Sequence, residues 1–314
     1  MFRFLVSRIG QTIAVLFAVS VIIFALMRMI PGDPVLMMLG DDFTQDAYQR
    51  LRAQLGFDRG LAVQYVVWLG NILRGDLGDS YLNHERVGRL VLDAFVPTLW
   101  LVVASLVVGV IIALPSGIIA AMRKDGPWDW GSMGFAIVVY SMPSFWKGIV
   151  LIWIFSVWLR WFPAMGYVDP WSQPWQFLWR MALPAFTLGT FFSGLVARII
   201  RSSLLEVLDR DYIKAARARG VRQAALVYRH ALSNALIPVV TVIGLQFGTL
   251  LGGAVLTETV FAIPGMGRLT VAAILNRDYA VVQGAILVAV VSIVAVNLLV
   301  DIAYAFLNPR IRVT

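Results

Sequence analysis

The chain has 314 residues, of which 60% are hydrophobic and 14% charged, with a net charge of +8. Soluble globular chains are about half apolar and about one quarter charged, so this composition argues against a soluble fold and indicates that much of the surface faces lipid. The absence of cysteine excludes a disulfide framework, a thiolate metal site and a cysteine nucleophile. The basic residues stand at the ends of apolar runs, which membrane topology explains without a nucleic-acid partner.

Six apolar segments are long enough for a membrane-spanning helix, which takes about 20 residues. They are residues 9–30, 97–122, 132–158, 183–200, 236–261 and 281–307. Because irregular backbone cannot face lipid, the sequence predicts an all-α integral membrane protein with residues 1–314 as one transmembrane domain. The first segment also resembles a signal peptide, but its length and the lack of a small-residue cleavage pattern favour an uncleaved spanning helix.

The distribution of lysine and arginine sets the orientation, since these residues accumulate on the cytoplasmic side of membrane proteins. One predicted side carries Arg3, Arg8, Arg123, Lys124, the basic residues of 201–235, Arg310 and Arg312. We therefore expect both termini in the cytoplasm. The outer connection 31–96 is long enough for short surface helices, and the outer connection 158–182 is rich in tryptophan, which favours the headgroup region.

The sequence offers little for catalysis. A phosphate-binding P-loop needs Gly-Lys before Ser or Thr, and the chain contains no Gly-Lys pair. Its two histidines, His84 and His230, fall in different predicted compartments, which argues against a histidine-based metal site. We therefore expect no catalytic residue, metal or cofactor in this chain, while an intramembrane protease or a lipid transferase stays open as an alternative.

The inner connection 201–235 contains the most informative segment. Asp209 and Asp211 suit a helix start, where negative charge meets the positive end of the helix dipole. Three alanines then favour helix, and Gly220 supplies a left-handed stop before a second helical stretch at 222–234. Two interpretations fit this pattern. One is a compact knob whose low alanine face lies in a groove of a partner, and the other is a solvated basic loop.

A series of short blocks carries a family resemblance along nearly the whole chain. The blocks are Met29-Ile30-Pro31-Gly32-Asp33-Pro34, Gly75-Asp76-Leu77-Gly78, Tyr140-Ser141-Met142-Pro143, Leu183-Pro184-Ala185, Arg201-Ser202-Ser203-Leu204, Ile263-Pro264-Gly265-Met266-Gly267-Arg268, Arg277-Asp278-Tyr279 and Asn308-Pro309-Arg310. Together with Lys214-Ala215-Ala216-x-x-x-Gly220 and Ile237-Pro238, they resemble permeases of ATP-binding-cassette importers. The resemblance is to the branch that imports dipeptides, oligopeptides, glutathione and nickel.

The resemblance implies a type I importer fold with six spans and a coupling helix that docks into an ATPase subunit. On this chain the coupling residues would be Asp211, Tyr212, Ala215, Ala216, Arg219 and Gly220. The implied partners are a second related permease, two ATPase subunits that bind ATP and Mg²⁺, an external solute-binding protein and the lipid bilayer. The implied location is the inner membrane of a prokaryote.

Two features depart from the family pattern. Lys214 occupies the position that gives the motif its glutamate, so an acidic contact with the ATPase is not carried over to it. The distance from Gly220 to Pro238 is also longer than in the general motif, although it is similar to the peptide-importing branch.

The substrate is expected to be a di- or oligopeptide, with a nickel chelate or glutathione as alternatives. An ion-coupled secondary transporter is an alternative of another class, because such proteins use charged groups inside the membrane. A membrane scaffold is a third alternative. Neither of the last two explains the cytoplasmic knob or the Pro-Gly-Asp-Pro and Ile-Pro-Gly blocks.

Three polar residues inside the predicted spans are candidates for the translocation path: Lys147, Asn297 and Asp301. A charge at the bilayer centre costs about 2.5–3.5 kcal/mol, so Lys147 should face protein or a water-filled path. Snorkelling or a local structural pair is the alternative for Lys147. Asn297 lies one turn before Asp301, so the two could share a polar face. Asp301 and Glu258 could also be interfacial residues.

Small residues recur every fourth position in two predicted spans, which allows close approach of helices in lipid. They are Ser105, Gly109, Ala113 and Gly117 in the second span, and Gly244, Gly248 and Gly252 in the fifth. Packing within the chain and packing against a second permease are both compatible with this spacing.

Overall fold

The computed structural model describes residues 2–29, 33–39 and 43–307, and the regular structure of these residues is helical apart from one isolated bridge between Asp79 and Arg86. We number the helices in chain order. They are α1 (Phe2–Met29), α2 (Pro34–Leu39), α3 (Gln45–Gln54), α4 (Leu61–Leu73), α5 (Val87–Met122), α6 (Pro127–Ser141), α7 (Ser144–Leu151), α8 (Pro174–Leu208), α9 (Asp211–Ala218), α10 (Gln223–Ala225), α11 (Leu232–Phe261), α12 (Met266–Leu275) and α13 (Tyr279–Leu307). A π-helical stretch, Ile152–Trp158, continues α7, and a second one, Leu226–Ala231, joins α10 to α11.

The predicted spans are confirmed as helices, with one correction. Among the described residues, five helices are long and apolar enough to cross a membrane, and a sixth candidate is α6 followed by α7 with its π-helical extension. This sixth candidate was expected as one span, 132–158, but its two halves meet at 102°. The cause is Pro143, which has no backbone N–H and forces the preceding Met142 into extended backbone (φ −78°, ψ 128°).

Several helices also extend beyond the apolar segments that reveal them. The fourth predicted span, 183–200, is the middle of α8, a helix of 35 residues that continues through Pro184. The fifth likewise runs through Pro238 inside α11. Hydropathy detects only the most apolar part of such helices, so their ends are missed.

The chain forms two compact units of contacts. The first unit comprises 97–264 and 295–307, and the second comprises 2–96 and 265–294. In the first unit, α8 is the central helix and packs against α6, α7 and α11. Both the short helices α2 to α4 and the N-terminal part of α5 belong to the second unit.

Close backbone approach fixes α5 against α8 in the first unit. A Cβ atom placed on Gly109 would lie 2.9 Å from the Gly189 carbonyl oxygen, and one on Gly117 would lie 2.7 Å from the Ala197 carbonyl oxygen. These distances leave no room for a side chain. The small residues predicted in the second span therefore form a packing seam within the chain.

The glycines of α11 differ from one another. A Cβ atom on Gly244 would overlap the side chain of Val300 on α13, whereas one on Gly252 would meet nothing within 4 Å. One end of this stripe is thus used inside the first unit, and the other end faces open space.

The second unit is held by an apolar cluster and a buried polar contact. Val87 and Val91 at the start of α5 pack with Val281 and Ala285 of α13. Asp278, which is 3% exposed, caps the N-terminus of α13 by accepting a hydrogen bond from the Val281 N–H at 3.3 Å. Its carboxylate also accepts a hydrogen bond from the Ser80 hydroxyl, which ties the 31–96 connection to α13.

Candidate functional site

The predicted coupling segment folds as a short helix, α9, set off from α8 by a two-residue break. The carbonyl oxygen of Arg210, whose backbone is extended (ψ 147°), accepts hydrogen bonds from the N–H groups of Ile213 and Lys214 at 3.0 and 3.1 Å. Asp211 is the first helical residue, where its negative charge is favourable for the helix dipole. The helix therefore starts at Asp211, two residues after Asp209.

The end of α9 is a glycine corner closed by backbone hydrogen bonds, and Arg219 Nε also donates to the Ala215 carbonyl at 3.3 Å. Gly220 has a φ of +82°, in the left-handed region that glycine adopts without strain. Its N–H donates to the Arg217 carbonyl at 3.0 Å, and the Val221 N–H donates to the Ala216 carbonyl at 3.3 Å. This pair of bonds is the Schellman motif, which satisfies carbonyls that the helix end would otherwise leave without donors.

One face of α9 is closed against the chain. Ile213 is fully buried and Ala216 is 7% exposed. The helix packs against α8 and against the π-helical stretch before α11, where Leu226 and Val227 are buried. Ala216, one of the predicted coupling residues, is thus largely covered by its own chain.

The opposite face of α9 is open. The predicted coupling residues Asp211, Tyr212, Ala215, Arg219 and Gly220 are all exposed, Tyr212 by 47%. The Tyr212 hydroxyl accepts a hydrogen bond from the Asn234 side-chain amide at 3.0 Å. Asn234 was not singled out from the sequence, because a contact over 22 positions leaves no local pattern.

Lys214, the residue that departs from the family motif, has a partner inside the chain. Its ammonium lies 3.0 Å from a carboxylate oxygen of Asp209. The hydrogen bond from Lys214 lowers the pKa of the Asp209 carboxyl below its ordinary value. Lys214 and Asp209 therefore form an ion pair across the junction between α8 and α9, where both side chains are exposed.

Lys147 is buried next to the bend between α6 and α7. Only 7% of the residue is exposed, and its ammonium donates to the Val139 carbonyl at 3.2 Å and to the Thr190 hydroxyl at 3.3 Å. In a helix, the Val139 carbonyl would accept from the N–H four residues later, but that residue is Pro143, which has none. Lys147 supplies the missing donor. Its ammonium also lies 5.8 Å from the centre of the Phe191 ring.

The three residues predicted for the translocation path do not form one bonded cluster. Asn297 and Asp301 lie one turn apart on α13, and both are partly buried. The hydrogen bonds of Lys147 go to Val139 and Thr190 on α6 and α8, not to α13.

Glu258 was expected as an interfacial residue, and the structure corrects this expectation. Its side chain is completely buried and accepts a hydrogen bond from the Thr98 hydroxyl at 2.5 Å. Position near the end of a span did not reveal this burial, because it depends on the packing of α5 against α11. Within the described part of the chain, no group of three or more His, Asp or Glu side chains could hold a metal ion.

Two family models match the sequence and together span nearly all of it. Residues 113–313 match "Binding-protein-dependent transport system inner membrane component", and residues 1–102 match the N-terminal region of the membrane component of the same transport systems.

Curated relatives match over their full length. The chain is 41% identical to the di/tripeptide transport system permease protein DppB of Pseudomonas aeruginosa, over 99% of both chains. It is 39% identical to the dipeptide transport system permease protein DppB of Escherichia coli, again over 99% of both. Among solved structures, the MetNI methionine ABC transporter in an inward-facing conformation matches with a TM-score of 0.59 at 18% identity, covering 70% of this chain and 96% of that one. This last likeness supports the importer permease fold.

Proposed function

Because the chain belongs to the family of binding-protein-dependent transport system inner membrane components, we propose that it forms half of the translocation pathway of an ATP-driven peptide importer. The chain is a non-catalytic, multi-pass inner-membrane component. The peptide substrate rests on relatives that are named for dipeptide and tripeptide transport. A nickel chelate or glutathione would use the same machinery.

The observation that carries the proposal is the two-sided nature of α9. Ile213 and Ala216 fix the helix to the chain, while Tyr212, Ala215 and Arg219 are left exposed on the other side. A helix that packs against its own chain with one face and exposes the other is suited to docking into a groove on a partner protein. We assign that groove to an ATPase subunit.

The connections of α9 would transmit movement from the ATPase to the spanning helices. It follows α8 after two residues and packs on the π-helical stretch that runs without a break into α11. In the same unit, α8 and α11 pack against each other. A push on α9 by closing ATPase subunits would therefore move two packed spans together, and this movement would alternate access to the pathway.

The complete importer would contain this chain, a second related permease, two ATPase subunits and an external solute-binding protein. The partner ATPases would bind ATP and Mg²⁺. The orientation follows from the basic residues around α9, which favour the cytoplasmic side of a prokaryotic inner membrane, with both termini on that side.

The test is a pull-down of the tagged chain from mild detergent. Wild type is compared with Gly220→Val, which strains the left-handed corner, and with Gly220→Asn, a residue that tolerates it. We expect wild type and Gly220→Asn to retain two ATPases and the second permease, and Gly220→Val to lose the ATPases while keeping the permease.

Two outcomes would overturn the proposal. A wild-type chain that purifies without ATPases would reject the importer. Transport that continues in ATP-depleted vesicles with an intact ion gradient would instead favour a secondary transporter.

A further inference from the structure

A cavity of about 480 Å³ lies at the end of α8 that is opposite to α9. At 1.5 Å per residue, the 35 residues of α8 separate these ends by about 50 Å, enough to cross a bilayer. The cavity therefore lies at the depth of lipid headgroups. Its lining combines two arginines with aromatic rings, namely Arg160, Trp161, Phe162, Trp175, Trp179 and Arg180.

The two guanidinium groups are held differently. Arg180 donates to the Met165 carbonyl at 3.0 Å, and the adjacent Gly166 leaves room for it, because a Cβ atom there would lie 2.6 Å from Arg180 Nη1. The exposed Arg160 side chain makes no hydrogen bond or ion pair with the described part of the chain. Since a guanidinium has five N–H donors, most of the donors at this cavity are available to a ligand.

The charge of the cavity is not balanced by the protein. No acidic residue lines it, and Asp169 is the only acidic residue between positions 159 and 173. Paired arginines bind the oxygens of phosphate groups in a bidentate manner. The rings beside them are exposed, Trp161 by 57% and Trp175 by 71%, and tryptophan prefers the boundary between headgroups and acyl chains.

We propose that this cavity is a binding site for one anionic phospholipid, with its phosphodiester between Arg160 and Arg180 and the upper part of its acyl chains against the tryptophans. An anionic headgroup is preferred to a zwitterionic one because two positive charges and no acid face it. The site requires only that the chain lies in a bilayer, so it does not depend on the transported solute.

Native mass spectrometry of the protein as it purifies from the membrane tests this site. Adducts of added phosphatidylglycerol and phosphatidylcholine are compared in wild type, Arg160→Gln and Arg160→Gln/Arg180→Lys. Arg74→Gln is the matched control, because Arg74 is an exposed arginine of the 31–96 connection and lies outside the cavity. Arg160→Gln breaks no internal contact, so its folding should be intact, and thermal stability is measured in parallel.

We expect Arg160→Gln to weaken phosphatidylglycerol binding about fivefold, the usual contribution of one basic residue near anionic lipid. Binding of phosphatidylcholine and the behaviour of Arg74→Gln should not change. Equal loss in Arg74→Gln, or unchanged phosphatidylglycerol adducts in the double variant, would overturn the site. Displacement of the lipid by millimolar inorganic phosphate would overturn the lipid assignment, since it would show that phosphate alone is recognised.

Discussion

Two of the helix interruptions in the first unit are closed by different means. At the bend between α6 and α7, Pro143 removes a backbone donor and the buried side chain of Lys147 replaces it. At the corner after α9, Gly220 allows the backbone to satisfy its own carbonyls. The bend needs the buried, charged side chain of Lys147 to satisfy the Val139 carbonyl. The corner needs no buried charged side chain, so the exposed face of α9 stays available to a partner.

The largest effect is expected from Lys147→Met, which keeps the length of the side chain but removes its donor. The free energy of unfolding should fall by up to about 3 kcal/mol, because the Val139 carbonyl is left buried without a partner. Detergent-induced unfolding of the purified protein measures this loss.

A second substitution separates the structural role of Lys147 from a role in the pathway. Pro143→Ala restores a backbone N–H opposite Val139, so the cost of Lys147→Met should be smaller in its presence. Full transport and normal assembly of Lys147→Met would contradict a pathway role, and an unchanged cost in the double variant would contradict the account of the bend.

The glycines of α11 allow a closely packed position and an open position to be compared within one helix. Gly244→Ala places a methyl group against Val300 and should cost about 2 kcal/mol through overpacking. Gly252→Ala meets open space and should be neutral or slightly stabilising, since alanine favours helix. Thermal unfolding of the two variants compares them directly, and equal losses would show that the stripe is not divided in this way.

Neighbouring alanines of α9 should respond in opposite ways. Ala216→Leu enlarges a buried position and should reduce stability by about 1 kcal/mol. Ala215→Leu lies on the exposed face and should change stability by less than about 0.5 kcal/mol. It should nevertheless reduce co-purification of the ATPases. Intact ATPase binding by Ala215→Leu would exclude this face from docking.

The smallest effect is expected from Lys214→Ala, which removes an exposed ion pair. The pKa of Asp209 should rise towards its ordinary value, because Lys214 lowers it in the folded chain. A lowered pKa stabilises the fold only above the ordinary carboxyl pKa, and that contribution is lost as the pH falls through the lowered value. The contribution of this pair at pH 7 should be small, because both side chains are exposed and screened by solvent, and ATPase retention should be unchanged. A large loss of stability at pH 7 would contradict the expectation that this exposed pair contributes little.

Much of this architecture could be predicted from the sequence because it depends on local patterns. Apolar length revealed every spanning segment, and the glycine at 220 revealed the left-handed stop, which the structure places at φ +82°. The 102° bend also had a local signal in Met142-Pro143, but hydropathy treated the segment as one span.

The remaining features depend on tertiary packing. The partner of Lys147 on α8 is 43 positions away, and the hydrogen bond from Asn234 to Tyr212 spans 22 positions. Small size alone could not show that Ala216 faces inward and Ala215 outward, since both suit a helix equally well. Burial of Glu258 likewise required knowledge of which helix lies beside α11.

The contacts of Lys147 also bear on the order in which the chain enters the membrane. One acceptor, Val139, precedes it by only eight positions, whereas the other, Thr190, follows it by 43. During synthesis the charged side chain can therefore be satisfied by its own bent pair of helices before α8 has left the ribosome. The bend is consequently able to insert as a self-contained element, and α8 arrives at a lysine that already has a partner.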